Sequence, residues 1–348
     1  MTRFFHHLSA TLRHYALLLG VAAVTAFIGI IGIMMSLERN QAIALIKEQI
    51  LKIEESLMAA GYDIAYDHLS FSHISPWQIM RIQNLRLYSL DAGNYKEWQC
   101  DEFSVSSNFF SSDKIRFHFS SRQALQLGKH SWKMDAPQVS AEMTTDENGN
   151  FKDFIYEAEN LTIQKLLGIE NIKFAARRNL QKEITGTNPF IETFLNAKNI
   201  LIADYTGWPM NKEIGHIYVN ANIMGAIESQ PILNDALYSW IENNGYIDIA
   251  KMIINWKPLV MVAKGELYFD EHLSPDLSLN TSSLALTEIL DKFNQYSWLE
   301  DKGVFVAKIL LNNKSFKKNQ TDSYYTVTTP VRINNKQILI ENIPVKKF

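Results

Sequence analysis

Two serines precede a lysine with the Ser-x-x-Lys spacing of the acylating pair in penicillin-interacting enzymes. They begin the segments Ser111-Ser-Asp-Lys114 and Ser315-Phe-Lys-Lys318. Neither segment begins a recognisable helix, and neither is followed by the Ser-Asp-Asn or Lys-Thr-Gly segment that completes such a site. We therefore interpret both pairs as coincidences of sequence.

The other side chains with reactive chemistry are isolated as well. His68 and His73 lie across a predicted strand and turn, and two histidines alone do not complete a metal site. Cys100 is the only cysteine, and no basic residue adjoins it in the sequence. The hydrolase elbow, the zinc helix, the Walker loop and the dinucleotide fingerprint are all missing from the sequence. We predict no catalytic residue, no metal and no cofactor, and an exported hydrolase built from distant residues is only our third hypothesis.

A binding function has more support than catalysis. Concave sites lined by aromatic side chains are where proteins bind hydrophobic molecules. We predict a ligand groove lined by five aromatic residues in the second half of the chain. These are Trp240, Trp256, Phe269, Phe293 and Trp298. The alternative is that each of them is an ordinary core residue.

A charge-free apolar run over residues 15–37 predicts where this groove would lie. About 20 apolar residues in a helix cross the hydrocarbon core of a bilayer. Arg3 and Arg13 precede the run without any acidic residue, whereas Glu38 and Arg39 follow it. The positive-inside rule then predicts a cytoplasmic leader (1–14), a single-pass membrane anchor (15–37) and a main domain on the far side of the membrane. A cleaved signal peptide is the alternative, but its apolar core is shorter and ends in small residues.

Residues 38–60 predict a helical stalk next to the membrane. The apolar positions Ile43, Ile46, Ile50, Ile53 and Leu57 repeat with alternating steps of three and four residues. Gly61 follows where a helix would end. Such a seam either packs on the protein's own domain or forms a homodimer, and two heptads are too few to decide for a coiled coil.

Beyond Gly61, alternating apolar and polar residues predict β-strands over residues 61–348. Examples are Ile115, Phe117 and Phe119, and later Ile217, Val219, Ala221 and Ile223. Helices are predicted over 231–244 and 286–299, and strands over 304–311 and on both sides of Asn334-Asn335. The predicted class is α+β and β-dominated: a transmembrane helix and a stalk helix, then a long antiparallel meander with a few short covering helices. The meander would form a curved sheet or an open barrel with a groove, with a possible boundary between two halves near 185–215.

Several turns and strand starts form a recognisable succession along the chain. They are the segment from Gly61 to Ser72 with the Pro76 turn, Trp98, Gly128-Lys-His-Ser-Trp132, Trp256-Lys-Pro258, Gly265-Glu-Leu-Tyr-Phe-Asp270 and Pro275-Asp-Leu-Ser-Leu. In this succession the chain resembles the bacterial family known as domain of unknown function 2125, over most of residues 15–345 and more weakly over about 150–215. This chain departs from the family in the turn Ser72-His-Ile-Ser-Pro-Trp77, where a Gly-Phe-Pro-Phe turn is usual. The resemblance implies a membrane-anchored periplasmic protein rich in β-structure, and it implies no activity.

Charge excludes one further class of partner. The chain has 34 basic and 37 acidic residues, so no basic footprint for nucleic acid is present. Our first hypothesis is an anchored periplasmic protein that binds lipid or another hydrophobic ligand in a β-rich groove and acts in envelope maintenance or lipid transport. The second is an envelope scaffold without a small ligand. The expected partners are membrane lipids, a hydrophobic ligand and a second copy through the stalk.

Overall fold

The structure is a computed structural model. It describes residues 54–55, 57–58, 61–74, 77–90, 95–108, 111–146, 151–164, 166–179, 189–203, 210–227, 233–296, 299–315, 327–334 and 337–347. The predicted leader, the anchor over 15–37 and most of the stalk lie outside these residues. Within the described part of the chain, no helix has both the length and the hydropathy that a membrane span requires.

The end of the predicted stalk lies inside the described part. Glu54, Glu55, Leu57 and Met58 are helical. The Gly61 N–H then donates to the Met58 carbonyl at 3.0 Å, and Gly61 has a φ of +80°. A left-handed residue with this hydrogen bond is a common way to end a helix, and glycine adopts it without strain.

The described residues form two compact units. The first comprises those up to Ser131 and those of Val139–Phe154, and the second those of Trp132–Gln138 and those from Ile155 onward. The boundary near 185–215 stays a prediction.

Nine strands lie wholly or partly in the first unit. They are β1 (Tyr62–Ala65), β2 (His68–Ile74), β3 (Trp77–Ser89), β4 (Lys96–Asn108), β5 (Ser111–Phe119), β6 (Arg122–Leu127), β7 (His130–Asp135), β8 (Gln138–Thr145) and β9 (Phe151–Ile163). Strands β7 and β9 contribute residues to both units, and the first residue of β8, Gln138, belongs to the second unit. The long strands β3 and β4 pair along almost their whole length. Shorter strands share their outer edges: β1 and β2 both pair with β3, β5 and β6 both pair with β4, and β8 pairs with β5.

One face of the first unit's sheet is a closed core. Met80, Val105, Phe117 and Ala141 lie in one row across β3, β4, β5 and β8. None of them is more than 2% exposed. We call this surface the closed face. The next row carries Arg81, Ser104, His118 and Ser140 and therefore points to the opposite side, because successive side chains of a strand alternate.

Three long strands contain an asparagine with positive φ. Asn84 lies in β3 (φ 51°), Asn160 in β9 (φ 52°) and Asn199 in β11 (Ile191–Ile202; φ 49°). Asparagine tolerates this conformation better than other residues with a side chain. On β3 the buried residues before and after it are Ile82 and Leu85, three apart instead of two. The asparagine thus shifts the alternation while keeping apolar side chains on one face.

The second unit is a consecutive antiparallel meander. After β9 its strands are β10 (Leu167–Arg178), β11, β12 (Glu213–Met224), β13 (Tyr246–Trp256), β14 (Leu259–Phe269), β15 (Pro275–Leu284), β16 (Val327–Ile333), β17 (Gln337–Ile340) and β18 (Ile343–Lys347). From β10 to β18 each strand pairs with the next one in the sequence. The predicted β-dominated class with a long antiparallel sheet and few helices is confirmed.

Three helices accompany this sheet: α1 (Leu233–Glu242), α2 (Leu286–Gln295) and α3 (Asp301–Ser315). The prediction of a strand over 304–311 was wrong, because these residues form the middle of α3. Val304, Ala307 and Leu311 are buried on one side of it, at the three- and four-residue spacing of a helix. The sequence does not show the helical pattern because the residues on the other side of α3 are apolar too: Phe305, Val306, Ile309 and Leu310.

Helices α2 and α3 cover the last strands of the sheet. Leu290 of α2 and Val304, Ala307 and Leu311 of α3 form a buried cluster with Ile340 and Val345. Val331 and Ile338 pack against this cluster from the sheet side. The close approach of α3 requires Gly303, where a Cβ atom would overlap the Pro344 carbonyl oxygen. The two helices therefore close one end of the meander.

Candidate ligand-binding face

An apolar surface crosses five strands of the second unit, β10 to β14. One row consists of Phe174, Leu195, Val219, Met252 and Ala263, and the next of Ile172, Ala197, Ile217, Ile254 and Met261. Members of a row are direct cross-strand neighbours and so share one face of the sheet. We call these ten residues the apolar face.

The apolar face is less covered than the closed face of the first unit. Of its ten side chains only Ala197 and Ala263, the two smallest, are buried, and the other eight are half-buried. On the closed face, large side chains such as Met80 and Phe117 are buried completely. Apolar residues of similar size are thus more exposed on the apolar face than on the closed face.

The size of the apolar face suits a long-chain molecule. Neighbouring strands are about 4.8 Å apart, so five strands extend over about 19 Å. An acyl chain of a membrane lipid has a comparable extended length. The surface is mostly aliphatic, with Phe174 as its one aromatic residue.

The opposite surface of the same strands mixes polar and apolar side chains. His216 and Asn196 are joined by a hydrogen bond of 2.8 Å, and Asn222 donates to Asp248 at 3.0 Å. Lys251 Nζ lies 5.9 Å from the ring centroid of Tyr218. Ile253 and Val262 lie in the same row as Tyr218, and Val262 is 43% exposed. The opposite surface thus carries hydrogen-bonding side chains, which the ten residues of the apolar face lack.

Two of the five predicted lining residues lie at opposite ends of the sheet surface. Trp256 ends β13 and packs against the cluster of Ala197, Ile200 and Ile214, while its indole N–H donates to the Asn211 carbonyl at 2.7 Å. Phe269 ends β14, at the far end of that antiparallel pair. The structure does not bring these two aromatic residues together.

Trp240 lies next to Phe269 and has a structural role. Its indole is 3% exposed, and its N–H donates to the Met224 carbonyl at 2.7 Å. A Cβ atom at Gly245 would overlap the indole ring. The ring centroids of Trp240 and Phe269 are 6.4 Å apart. Trp240 thus packs α1 against the end of β12 and the start of β13.

The remaining two predicted lining residues fall elsewhere. Phe293 is half-buried on α2, and Trp298 lies outside the described residues. The sequence analysis predicted none of the ten residues of the apolar face as ligand lining, and four of the ten lie on β10 and β11. For β10 the available signal was the alternation of Ile172 and Phe174 with polar Asn171 and Lys173.

Helix α3 presents a second exposed apolar surface. Phe305 is 66% exposed, Ile309 46%, Val306 43% and Leu310 37%. These four residues are spaced so that they form one stripe along the helix. Single exposed apolar residues are ordinary on protein surfaces, whereas contiguous ones mark interaction sites. We call this surface the α3 stripe.

The reactive residues of the sequence form no catalytic arrangement among the described residues. Cys100 is buried, which raises the pKa of its thiol, and its Sγ lies 3.1 Å from the Glu102 carbonyl. Ser111 and Lys114 lie on strand β5 rather than on a helix, and Lys114 pairs with Glu142 at 3.6 Å. In the described ranges, no group of three His, Cys, Asp or Glu residues is arranged to hold a metal ion.

The raised pKa of Tyr156, on strand β9, predicts that the protein loses stability at high pH. Burial raises the pKa of Tyr156 to about 12, from an ordinary value of 10.0. Below pH 10 both the folded and the unfolded state keep this proton. Between pH 10 and 12 only the folded state does, so ionisation of the unfolded chain lowers the free energy of unfolding.

We therefore expect wild-type protein to lose stability more steeply than Tyr156→Phe between pH 10 and 12. Denaturant unfolding at a series of pH values measures this difference. Other tyrosines contribute equally to both proteins and cancel in the comparison. Parallel pH profiles of the two proteins would contradict the prediction.

Comparison with known proteins does not assign this chain to a family. No family model matches the chain, and no curated protein matches it. The resemblance to the family known as domain of unknown function 2125 stays a prediction.

Proposed function

We propose that this protein is anchored in the bacterial inner membrane by residues 15–37 and binds the acyl chain of a lipid on the apolar face of its periplasmic domain. Its role would be in envelope maintenance or lipid transport. The observation that carries the proposal is the half-buried state of eight of the ten side chains on the apolar face.

A sheet face that packs on its own core is normally buried, as the closed face of the first unit is. Each half-buried aliphatic side chain on β10–β14 leaves apolar area in contact with water, which costs about 25 cal/mol per Å². A bound hydrocarbon chain removes that contact. The charge-free run over residues 15–37 supports a lipid as the occupant, because a span of that length belongs in a bilayer.

Photo-crosslinking in cells tests the proposal with a matched pair of positions. Val219 and Asn220 are adjacent on β12 but lie on opposite faces of the sheet. A photoreactive phenylalanine analogue is placed at either position in the full-length chain, and lipid adducts are measured by mass spectrometry after irradiation. We expect abundant phospholipid adducts at position 219 and only background at position 220. Equal yields at both positions, or none at 219, would overturn the proposal.

The second candidate function, an envelope scaffold, is favoured by the α3 stripe. Its four exposed apolar residues suit a partner surface better than water. The same photoreactive residue at position 305 separates the two functions. Protein adducts at 305 without lipid adducts at 219 would favour the scaffold, and lipid adducts at 219 favour the lipid-binding function.

A further inference from the structure

The polar side of the first unit's sheet carries cationic and hydroxyl side chains in two adjacent rows. One row contains Arg81, Ser104 and His118, and the other contains Ile79, Ser106 and Arg116. Together with Glu102, these residues line a recess of about 340 Å³ on β3, β4 and β5. We call it the Arg81 recess. All of its walls belong to one unit, on strands whose buried side is the closed face.

The cations of the Arg81 recess differ in their partners. Arg116 Nε lies 3.1 Å from Glu142 Oε2, and Lys114 Nζ lies 3.6 Å from Glu142 Oε1. Arg81 is half-buried and makes no ion pair within the described ranges. Among the described residues, three cations in and beside the recess therefore face two carboxylates, Glu102 and Glu142. One positive charge is left over among these five groups, and it belongs to Arg81, the least exposed of the three cations.

Two serines lie in or beside the recess on its second row, and one of them has unused hydrogen-bonding capacity. Ser106 lines the recess and is 7% exposed. Ser72 lies in the same row, across β2 and β3, and its buried Oγ has no hydrogen-bond partner among the residues that the structure describes. Buried polar groups are normally paired, and the unpartnered Ser72 hydroxyl, in the same row as Arg116, is available to donate to an anion.

We propose that the Arg81 recess binds a phosphate group, either as a free phosphate or as the headgroup of a lipid. The planar guanidinium of Arg81 supplies two parallel N–H donors to phosphate oxygens. Ser104 and His118 stand beside it in the same row and supply further donors. The site lies in the first unit and does not depend on the apolar face of the second.

Equilibrium dialysis of the detergent-solubilised full-length chain with radiolabelled inorganic phosphate tests the site. At constant ionic strength we expect saturable binding that Arg81→Gln weakens about tenfold, the loss expected when charge-assisted hydrogen bonds disappear. The matched control is Arg122→Gln, because Arg122 is 84% exposed and lies outside the recess. Its affinity should stay that of wild type. Arg81→Lys keeps the charge without the planar fork and should bind with intermediate affinity.

Competition separates the two sources of phosphate. A short-chain monomeric phosphatidylglycerol that displaces the label better than glycerol phosphate identifies a lipid headgroup, and the reverse order identifies a free phosphate. Identical thermal unfolding of wild type and Arg81→Lys shows that the fold is intact. Absence of saturable binding, or equal weakening by Arg81→Gln and Arg122→Gln, overturns the proposal. Neither result bears on lipid adducts at position 219, so the two proposals fail separately.

Discussion

Glutamate in place of Val105 is expected to prevent the first unit from folding, whereas glutamate in place of Val219 is expected to leave the second unit folded. Val105 is 1% exposed on the closed face, where an unpaired carboxylate costs several kcal/mol. That is a large part of the roughly 5–15 kcal/mol by which domains are stable. Val219 is half-buried on the apolar face, so a carboxylate there reaches water, and we expect a loss of about 1 kcal/mol.

Limited proteolysis and thermal unfolding of the two full-length variants measure this difference. Asn220→Glu, on the opposite surface of the same strand, is the control for added charge. Val105→Glu should be degraded throughout the first unit, and Val219→Glu should give the wild-type cleavage pattern. Equal sensitivity of both valine variants would mean that the apolar face is a closed core, and the proposal of a lipid site there would then lose its basis.

A single methyl group at Gly265 is expected to lower the stability of the second unit by about 3 kcal/mol, at the upper end of the usual cost of overpacking. Gly265 pairs with Leu279 across β14 and β15. A Cβ atom at this position would overlap the Ser278 carbonyl oxygen and would lie 2.9 Å from the Leu279 Cα. Both are backbone atoms, so no change of side-chain rotamer relieves the overlap and the strands must separate.

Gly168→Ala on β10 is the matched control for Gly265→Ala. No atom lies within 4 Å of the Cβ position there. We expect the control to keep wild-type stability or gain up to about 1 kcal/mol, because alanine restricts the unfolded chain. Thermal unfolding should place Gly265→Ala about 6–12 °C below wild type. A midpoint for Gly265→Ala equal to that of Gly168→Ala would show that β14 and β15 are less closely paired than described.

The strands of this protein were predictable where one face is apolar and the other polar. Ile115, Phe117 and Phe119 alternate with charged residues, and the alternation matches β5. The segment 304–311 is apolar on both sides, so its sequence does not distinguish a strand from a helix. The segment forms the helix α3 because the helix buries one of these sides against β16 and β18. At Asn84 and Asn199 the alternation shifts phase, which hides long strands from a search for a period of two.

The candidate site was less predictable than the fold. Aromatic residues such as Trp240 were chosen for their size, but the indole of Trp240 serves to hold α1 in place. The apolar face depends on which residues become cross-strand neighbours, such as Phe174 and Leu195 or Val219 and Met252. These partners lie on different strands, and the alternation within one strand does not contain the register that joins it to the next.

The consecutive pairing of β10 to β18 also determines how this unit can fold. Each strand finds its partner in the strand just before it, as Trp256 and Leu259 do at the turn between β13 and β14. Such sequence-local contacts favour fast folding. A chain that emerges one residue at a time can therefore add hairpin after hairpin to an edge that already exists. In the first unit, by contrast, β5 must wait for β8 to be synthesised before its outer edge is paired.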